Sequence, residues 1–344
     1  MDRQTFQAAD LYGDIETSPK QRLKDYVPGL IVALLATLAA GYLSDHYGAP
    51  LTLMALLVGL ALNFLSGDRR LNAGLSFAAR DLLRLAVVLI GVRITLGDIS
   101  DLGWATFGAV LAILALTFVS GIAIARALGF STAFGALGGG AVAICGGSAA
   151  MALAATLGER RVTQADVTMV LVGISAVGAA AMALYPPLAA GLGFSDQAAG
   201  FLMGAAIHDV AQAVGAGTAV SAEAGEVATI VKLSRVAMLA PVLLIVAALF
   251  REGGGKAKMV GVPLFLIGFF VVAAVNSTGL IPPQVGAVAS QLSAWLMAMA
   301  IAAAAIRSPM RDLLASGPRP LLVITGASLV SLAASLLAAK LLFD

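Results

Sequence analysis

The sequence predicts an all-α polytopic membrane protein, and three observations predict it: charge is scarce, apolar residues gather in blocks, and short polar breaks separate the blocks. Of 344 residues, 60% are hydrophobic and only 12% charged, about half the charged share of an ordinary soluble domain. A soluble fold of this length would lack the polar surface needed to stay dispersed. The blocks Leu30 to Leu43, Leu51 to Leu65, Leu85 to Ile94, Ala105 to Ile124, Val167 to Leu184 and Val236 to Phe250 carry almost no charge. Several approach the roughly 20 residues that cross about 30 Å of hydrocarbon. With the weaker blocks, about eleven apolar segments are expected on that length criterion. Loops such as Ser66 to Arg70, Arg251 to Lys258 and Arg307 to Pro320 separate them, which leaves no room for a soluble domain.

Residues 1–27 are polar, mixed in charge and without an apolar stretch ahead of a small-residue cleavage site, so they read as a cytosolic tail rather than a signal peptide. Residues 28–342 form one transmembrane domain. Arg3, Lys20, Arg22 and Lys24 precede the first span, Arg69 and Arg70 follow the second, and Arg251, Lys256 and Lys258 follow the eighth. The loops at Asp45 to Tyr47, Gly193 to Gln197 and Asn276 to Pro283 have no Lys or Arg. Basic residues favour the cytoplasmic side, which places the N-terminus in the cytosol.

Arg160 and Arg161 break a plain zigzag, because they would face outward after the Gly-rich segment 131–158. A broken helix or re-entrant hairpin there returns them to the cytosol, and a second one at 197–221 keeps Arg251 to Lys258 inside. Such backbone is tolerated at depth only where protein buries it or a cavity lies beside it. Ala133 to Gly140 also matches Ala198 to Ala205, with Gly135/Gly200, Leu137/Leu202 and Gly139/Gly204 in register. Interrupted segments in corresponding places of an inverted repeat mark the binding site of a secondary transporter.

Three constellations could carry chemistry. The run Gly138 to Ser148 includes Cys145, Gly146, Gly147 and Ser148; a helix broken here presents free N–H groups, with the Ser148 hydroxyl as a cap, and such an end attracts an anion. The same glycines also suit a small-residue packing seam. The run Gly204 to Gly217 places His208, Asp209 and Gln212 inside an apolar segment, where an adjacent His and Asp are costly without partners or water. They are candidates for proton relay or substrate contact, or a pair that staples helices. Lys232 and Arg235, at i and i+3, either snorkel to the interface or face the bundle to neutralise Asp209 or a bound anion. Arg93 poses the same choice.

Other classes fall short. A net charge of +2 with basic residues confined to loops gives no footprint for nucleic acid. One cysteine allows no intramolecular disulfide, and two histidines no metal cluster. No Walker loop sits between a strand and a helix, so neither a nucleotide nor another cofactor is expected.

The runs Ile144-Cys-Gly-Gly-Ser-Ala149, Ile207-His-Asp-Val-Ala-Gln212 and Lys232-Leu-Ser-Arg235, preceded by Leu83-Arg-Leu and Leu89-Ile-Gly-Val-Arg-Ile-Thr95, resemble a bacterial family of integral membrane proteins described as sulfate exporters. The likeness covers residues 28–342. The order of elements is more distantly similar to the bile acid/sodium symporter type of fold, with crossed broken helices between a core and a panel domain. The resemblance implies ion-coupled export of sulfate or sulfonates, and points to Cys145, Gly146, Ser148, His208, Asp209, Gln212, Lys232 and Arg235. Where the resemblance leads one to expect a hydroxyl residue before Ile144, this chain has Gly-Ala-Val-Ala.

The expected function is secondary transport of a small anion, sulfate or a sulfonate, with a coupling proton on His208 and Asp209. A sodium-coupled organic-anion carrier is the alternative within transport. An intramembrane hydrolase using Ser148 and His208 is the alternative from another class. The expected partners are the lipid bilayer, the anion and its coupling ion, with a homodimer as a compatible assembly.

Overall fold

The structure, a computed structural model, describes residues 22–158, 160–250, 264–308 and 318–343. It is all-helical over these residues, and six helical stretches are long and apolar enough to cross a membrane. They are α1 (Leu23–Tyr47), α6 (Gly103–Ala127), α9 (Gln164–Gly191), the joined α12 (Ala222–Ala237) and α13 (Leu239–Leu249), α15 (Pro283–Ile306) and α16 (Pro318–Phe343). Between them lie α2 (Leu51–Ala61), α3 (Arg69–Phe77), α4 (Leu83–Ile90), α5 (Leu96–Asp101) and α14 (Leu264–Ser277). The remaining four are α7 (Thr132–Ala143), α8 (Gly147–Leu157), α10 (Asp196–Ala206) and α11 (Val210–Val220). A π turn over Ala78–Leu82 joins α3 to α4.

The boundaries follow from capping chemistry. Ser131, Thr163, Ser195, Asp209 and Ser221 each sit in extended backbone and accept a hydrogen bond from an N–H of the first turn that follows. Such caps satisfy donors that a helix start leaves without partners. The first helix begins at Leu23, ahead of the expected boundary at 28, with Asp25 Oδ2 accepting from Arg22 N at 2.8 Å. Most of the expected tail, the Arg251 to Lys258 loop and much of the loop after Arg307 lie outside the described residues.

Helices α1 to α4 pack with α14 and α15 as one bundle, and α6 to α13 pack with α16 as a second. The bundles meet chiefly where α11 lies against α2 and α15. There Thr52 Oγ1 donates to Gly215 O at 2.9 Å. Two polar side chains of the first bundle likewise reach main-chain carbonyls. Ser293 Oγ donates to Ala86 O, and Asn63 Nδ2 to the carbonyls of Ala305, Ile306 and Ser308 at the end of α15. Lipid offers no hydrogen bonds, so each such group must find its partner within the protein.

The two glycine-rich segments are both interrupted, as expected. Gly135 and Gly139 of α7 lie directly against α6, with Ile122, Ala125, Phe118 and Gly121 in contact range. Gly200 and Gly204 of α10 lie against Ala224, Val227, Ala228 and Val231 of α12. The second halves fold back, α8 along α7 and α11 along α12. A Cβ at Gly140 would stand 2.5 Å from Leu153 Cδ1 of α8, and a Cβ at Gly217 of α11 would stand 2.8 Å from Ala224 O, the carbonyl that faces Gly200 at 2.6 Å. Arg161, just beyond α8, lies over the Phe250 ring at the end of α13, 5.7 Å from its centroid.

Candidate functional site

The two interruptions meet. The first spans Ile144 to Gly146 and the second Ile207 to Asp209, and a Cβ on Gly146 would lie 3.8 Å from both the carbonyl carbon and Cβ of His208. Gly146 holds φ at +72°, a left-handed conformation that glycine alone adopts without strain. Its N–H donates to Ala141 O at 2.8 Å, closing the end of α7, while its own carbonyl accepts from Ala150 N at 2.9 Å and opens α8. The reversal therefore depends on this glycine. Gly146, not Ser148, is the N-cap of α8; Ser148 is exposed on the first turn. The expected Ser148 cap is corrected on this point, because the left-handed glycine already supplies the turn.

Two helix ends abut the meeting point from one side and two helix starts from the other. The carbonyl ends of α7 and α10 are held by Lys232 and Arg235, both 0% exposed. Lys232 Nζ donates to Ile144 O at 3.0 Å and to Ile207 O at 2.7 Å, one from each interruption. Arg235 Nε and Nη2 donate to Ala143 O at 2.9 and 2.6 Å, and Nη2 also to Val142 O at 2.8 Å. Its Nη1 donates to Gly204 O at 3.2 Å, to Ile207 O at 3.4 Å, and to Ala205 O. A helix C-terminus leaves carbonyls without partners and carries roughly −0.5 of an elementary charge. Two such ends suit cationic side chains, and the planar guanidinium with five donors spans both.

This placement settles how the pair is used structurally. Lys232 and Arg235 do not snorkel, since both are fully buried against main-chain carbonyls. No ion pair joins Asp209 to either among the described residues; the carbonyls take the donors instead, and Asp209 turns to its own helix start. Its Oδ1 accepts from Ala211 N at 2.8 Å and from Gln212 N at 3.3 Å. Asp209 is thus the cap of α11, with its side chain half-buried.

His208 is fully buried and lies in the interruption itself, so it does not share a helical face with Gln212 and Gly215. Its Nε2 is 2.9 Å from Ser328 Oγ of α16. The Ser328 hydroxyl lies 2.6 Å from Ile324 O and gives its single proton there. Nε2 is then the donor to Ser328, and Nδ1 is left as an acceptor without a partner among the described residues. Cys145, next to Gly146 in the first interruption, is buried.

A cavity of about 110 Å³ opens where the starts of α8 and α11 face the first bundle. Gly147 of α8, Asp209, Ala211 and Gln212 of α11, and Ile174, Ser175 and Ala179 of α9 form one wall. Leu56, Leu60, Ala79, Leu83, Ile301, Arg307 and Ser308 contribute to the other. One water needs about 10–15 Å³ on this scale, so the space admits several waters or one small ion. Gln212 Oε1 and Ser308 Oγ are buried without a hydrogen-bond partner among the described residues. The Gln212 amide rests on Gly178 of α9, where a Cβ would stand 2.1 Å from Oε1.

Of the residues singled out in the sequence, Gly147, Asp209 and Gln212 line this cavity. Cys145, Gly146 and His208 form the turns behind it, Lys232 and Arg235 sit beneath at the helix ends, and Ser148 is exposed beside it. Arg93 pairs instead with Glu226, Nη2 to Oε1 at 2.8 Å. Ser175, Gly178 and Ser328 belong to the surroundings but were not singled out. Ser328, Ser331 and Ser335 carried a readable signal, small hydroxyls at i, i+3 and i+7 in an apolar helix. Gly178 carried none in an alanine- and glycine-rich stretch.

Fold and site together define a polytopic helical membrane protein organised around two interrupted glycine-rich segments. The chain belongs to the family described as conserved hypothetical protein 698, whose model matches residues 28–324. It is 45% identical over 297 residues to the UPF0324 membrane protein TauZ of Paracoccus denitrificans, covering 84% of this chain and 88% of that one. It is 43% identical to a UPF0324 membrane protein of Rhizobium meliloti, covering 85% of each chain. A UPF0324 membrane protein of Chlorobaculum tepidum is 38% identical, covering 91% of this chain and 88% of its own length. No solved structure matches the chain.

Proposed function

We propose that the protein is a secondary transporter, not an enzyme, for a small anion such as sulfate or a sulfonate, in the bacterial inner membrane with its N-terminus in the cytosol. The observation that carries this reading is the cavity at the starts of α8 and α11, backed by a permanent guanidinium charge at the ends of α7 and α10. Helix starts contribute roughly +0.5 of an elementary charge each, and the start of α8 has no side-chain cap on its N–H groups, which suits an oxyanion. The return of α8 and α11 along α7 and α12 supports two re-entrant hairpins, and the matching glycine contacts support an inverted repeat.

Asp209 is the carboxylate of this cavity, and we assign it the coupling proton. An ionised Asp209 opposes an anion at the same helix starts, and protonation removes that opposition. Anion and proton binding are then linked with positive sign, each strengthening the other. His208, bonded to Ser328 behind the wall, orients the turn. The exposure of Ser148 and the engagement of His208 with Ser328 favour transport over hydrolysis.

Sulfate uptake into proteoliposomes should rise when an inward proton gradient is imposed. Asp209→Asn should retain sulfate exchange but lose the response to the gradient. Gradient-driven uptake unchanged in Asp209→Asn would overturn the coupling role. A sodium gradient replacing the proton gradient would favour the sodium-coupled carrier.

A further inference from the structure

A second cavity, of about 210 Å³, lies along the same three helices as the first, α2, α11 and α15, but displaced toward Arg93. Thr52 and Thr218, on α2 and α11, line it together with Ser290 and Ser293 of α15, and Arg93 is its one charged lining residue. A thin layer separates the two spaces. A Cβ on Gly215 would stand 2.8 Å from Met182 Cε, 2.9 Å from Ile301 Cδ1 and 3.4 Å from Thr52 Cβ.

The chemistry of this lining selects a ligand. Three of the hydroxyls are spent on main-chain carbonyls, Thr52 and Thr218 on Gly215 O and Ser293 on Ala86 O. The guanidinium is therefore the principal polar group offered to the space. Glu226 Oε1 meets it at 2.8 Å, in a pair whose side chains are 32% and 26% exposed. The pair is more than two-thirds buried, so Glu226 stays in place, and it meets the guanidinium through Nη2. A guanidinium carries five donors, so a second anion can bind beside Glu226. Two further acids lie nearby, each at a helix start whose partial positive charge offsets it: Asp98 accepts from Thr95 N and Oγ1 at the start of α5, and Glu223 sits in the first turn of α12.

We infer that this cavity is a second site, for a small organic anion with a sulfonate or carboxylate head, at the opposite mouth of the same path. Arg93 takes the head beside Glu226, and Val214 and Met297 cover the apolar body. The location on a path rests on the transport reading above; the anion site stands on its own geometry.

The test uses the full-length protein with Cys145→Ala, which removes its one native thiol, and a reporter at Ser290→Cys. Anionic sulfonatoethyl methanethiosulfonate should label the reporter faster than its cationic trimethylammonioethyl counterpart. Arg93→Gln should lower the anionic-to-cationic rate ratio by about tenfold or more, since a unit charge at contact range exceeds that factor near a protein surface. Arg93→Lys, which keeps the charge, should preserve the ratio, and Glu226→Gln should raise it. Methanesulfonate should slow labelling when Arg93 is present and not in Arg93→Gln. A ratio indifferent to Arg93→Gln, or a reporter closed to both reagents, would overturn the site. Should sulfate flux fail in proteoliposomes while the labelling pattern holds, the transport reading falls and the anion site stands.

Discussion

Arg235 does more than any other side chain to hold the site together, because it serves carbonyls from two helix ends that are far apart in sequence. It reaches Val142 and Ala143 on one side and Gly204, Ala205 and Ile207 on the other. A lysine ammonium has three donors on one point and cannot span that set. Arg235→Lys should therefore strand at least two buried carbonyls at about 1–3 kcal/mol each, a loss of roughly 2–6 kcal/mol measurable as unfolding in detergent. Near-native stability of this variant would refute the bridging role. The charge itself was legible in the sequence as an expensive intramembrane cation. Its partner was not, because the contacts cross 28 to 93 residues of chain. Asp209, the nearest acid in the apolar segments, was the natural guess; capping the N–H groups of Ala211 and Gln212 was its closer alternative.

At the scale of elements, close helix approach replaces apolar burial as the packing force, since lipid is as apolar as the side chains. Gly121 of α6 and Gly139 of α7 show this most directly: a Cβ at Gly121 would stand 2.3 Å from Gly139 Cα, backbone against backbone. Neither helix can yield by rotating a side chain. Gly121→Ala should cost about 1–3 kcal/mol by overpacking. Gly108, on the same helix, has nothing within 4 Å of its Cβ position. Gly108→Ala should be neutral or slightly stabilising, as alanine is intrinsically the better helix former. Equal effects of the two substitutions in thermal unfolding would contradict the close-approach account. The register of Gly135 with Gly200 and Gly139 with Gly204 was visible in the sequence. The different helices they press against, α6 and α12, were not.

For the whole molecule, the basic residues constrain how the chain threads the membrane. Arg161 against Phe250 puts the far end of α8 beside the end of α13. With re-entrant hairpins, position 160 belongs to the cytosolic face and position 280, after α14, to the outer face. In a Cys145→Ala background, a membrane-impermeant maleimide applied to intact cells should label Leu280→Cys and spare Arg160→Cys. Labelling of both from outside would refute the hairpin at 131–158. About eleven apolar segments were expected, and the described residues hold six stretches long enough to cross a membrane and five shorter apolar helices; length alone does not separate a span from half of an interrupted one.

Composition alone determined the solvent. With 12% charge and apolar blocks of span length, the chain can bury its backbone polar groups only as helices in lipid. Local chemistry also determined the interruptions, since Gly146 and the Asp209 cap act within a few residues of themselves. Only the tertiary structure decided which group meets which: Lys232 with two distant carbonyls, His208 with Ser328, Gln212 with Gly178, Arg93 with Glu226. The physical reason is that a buried polar group in lipid takes whichever donor or acceptor the packing of helices brings within about 3 Å. That choice depends on helix rotation and crossing, which a single sequence does not encode locally.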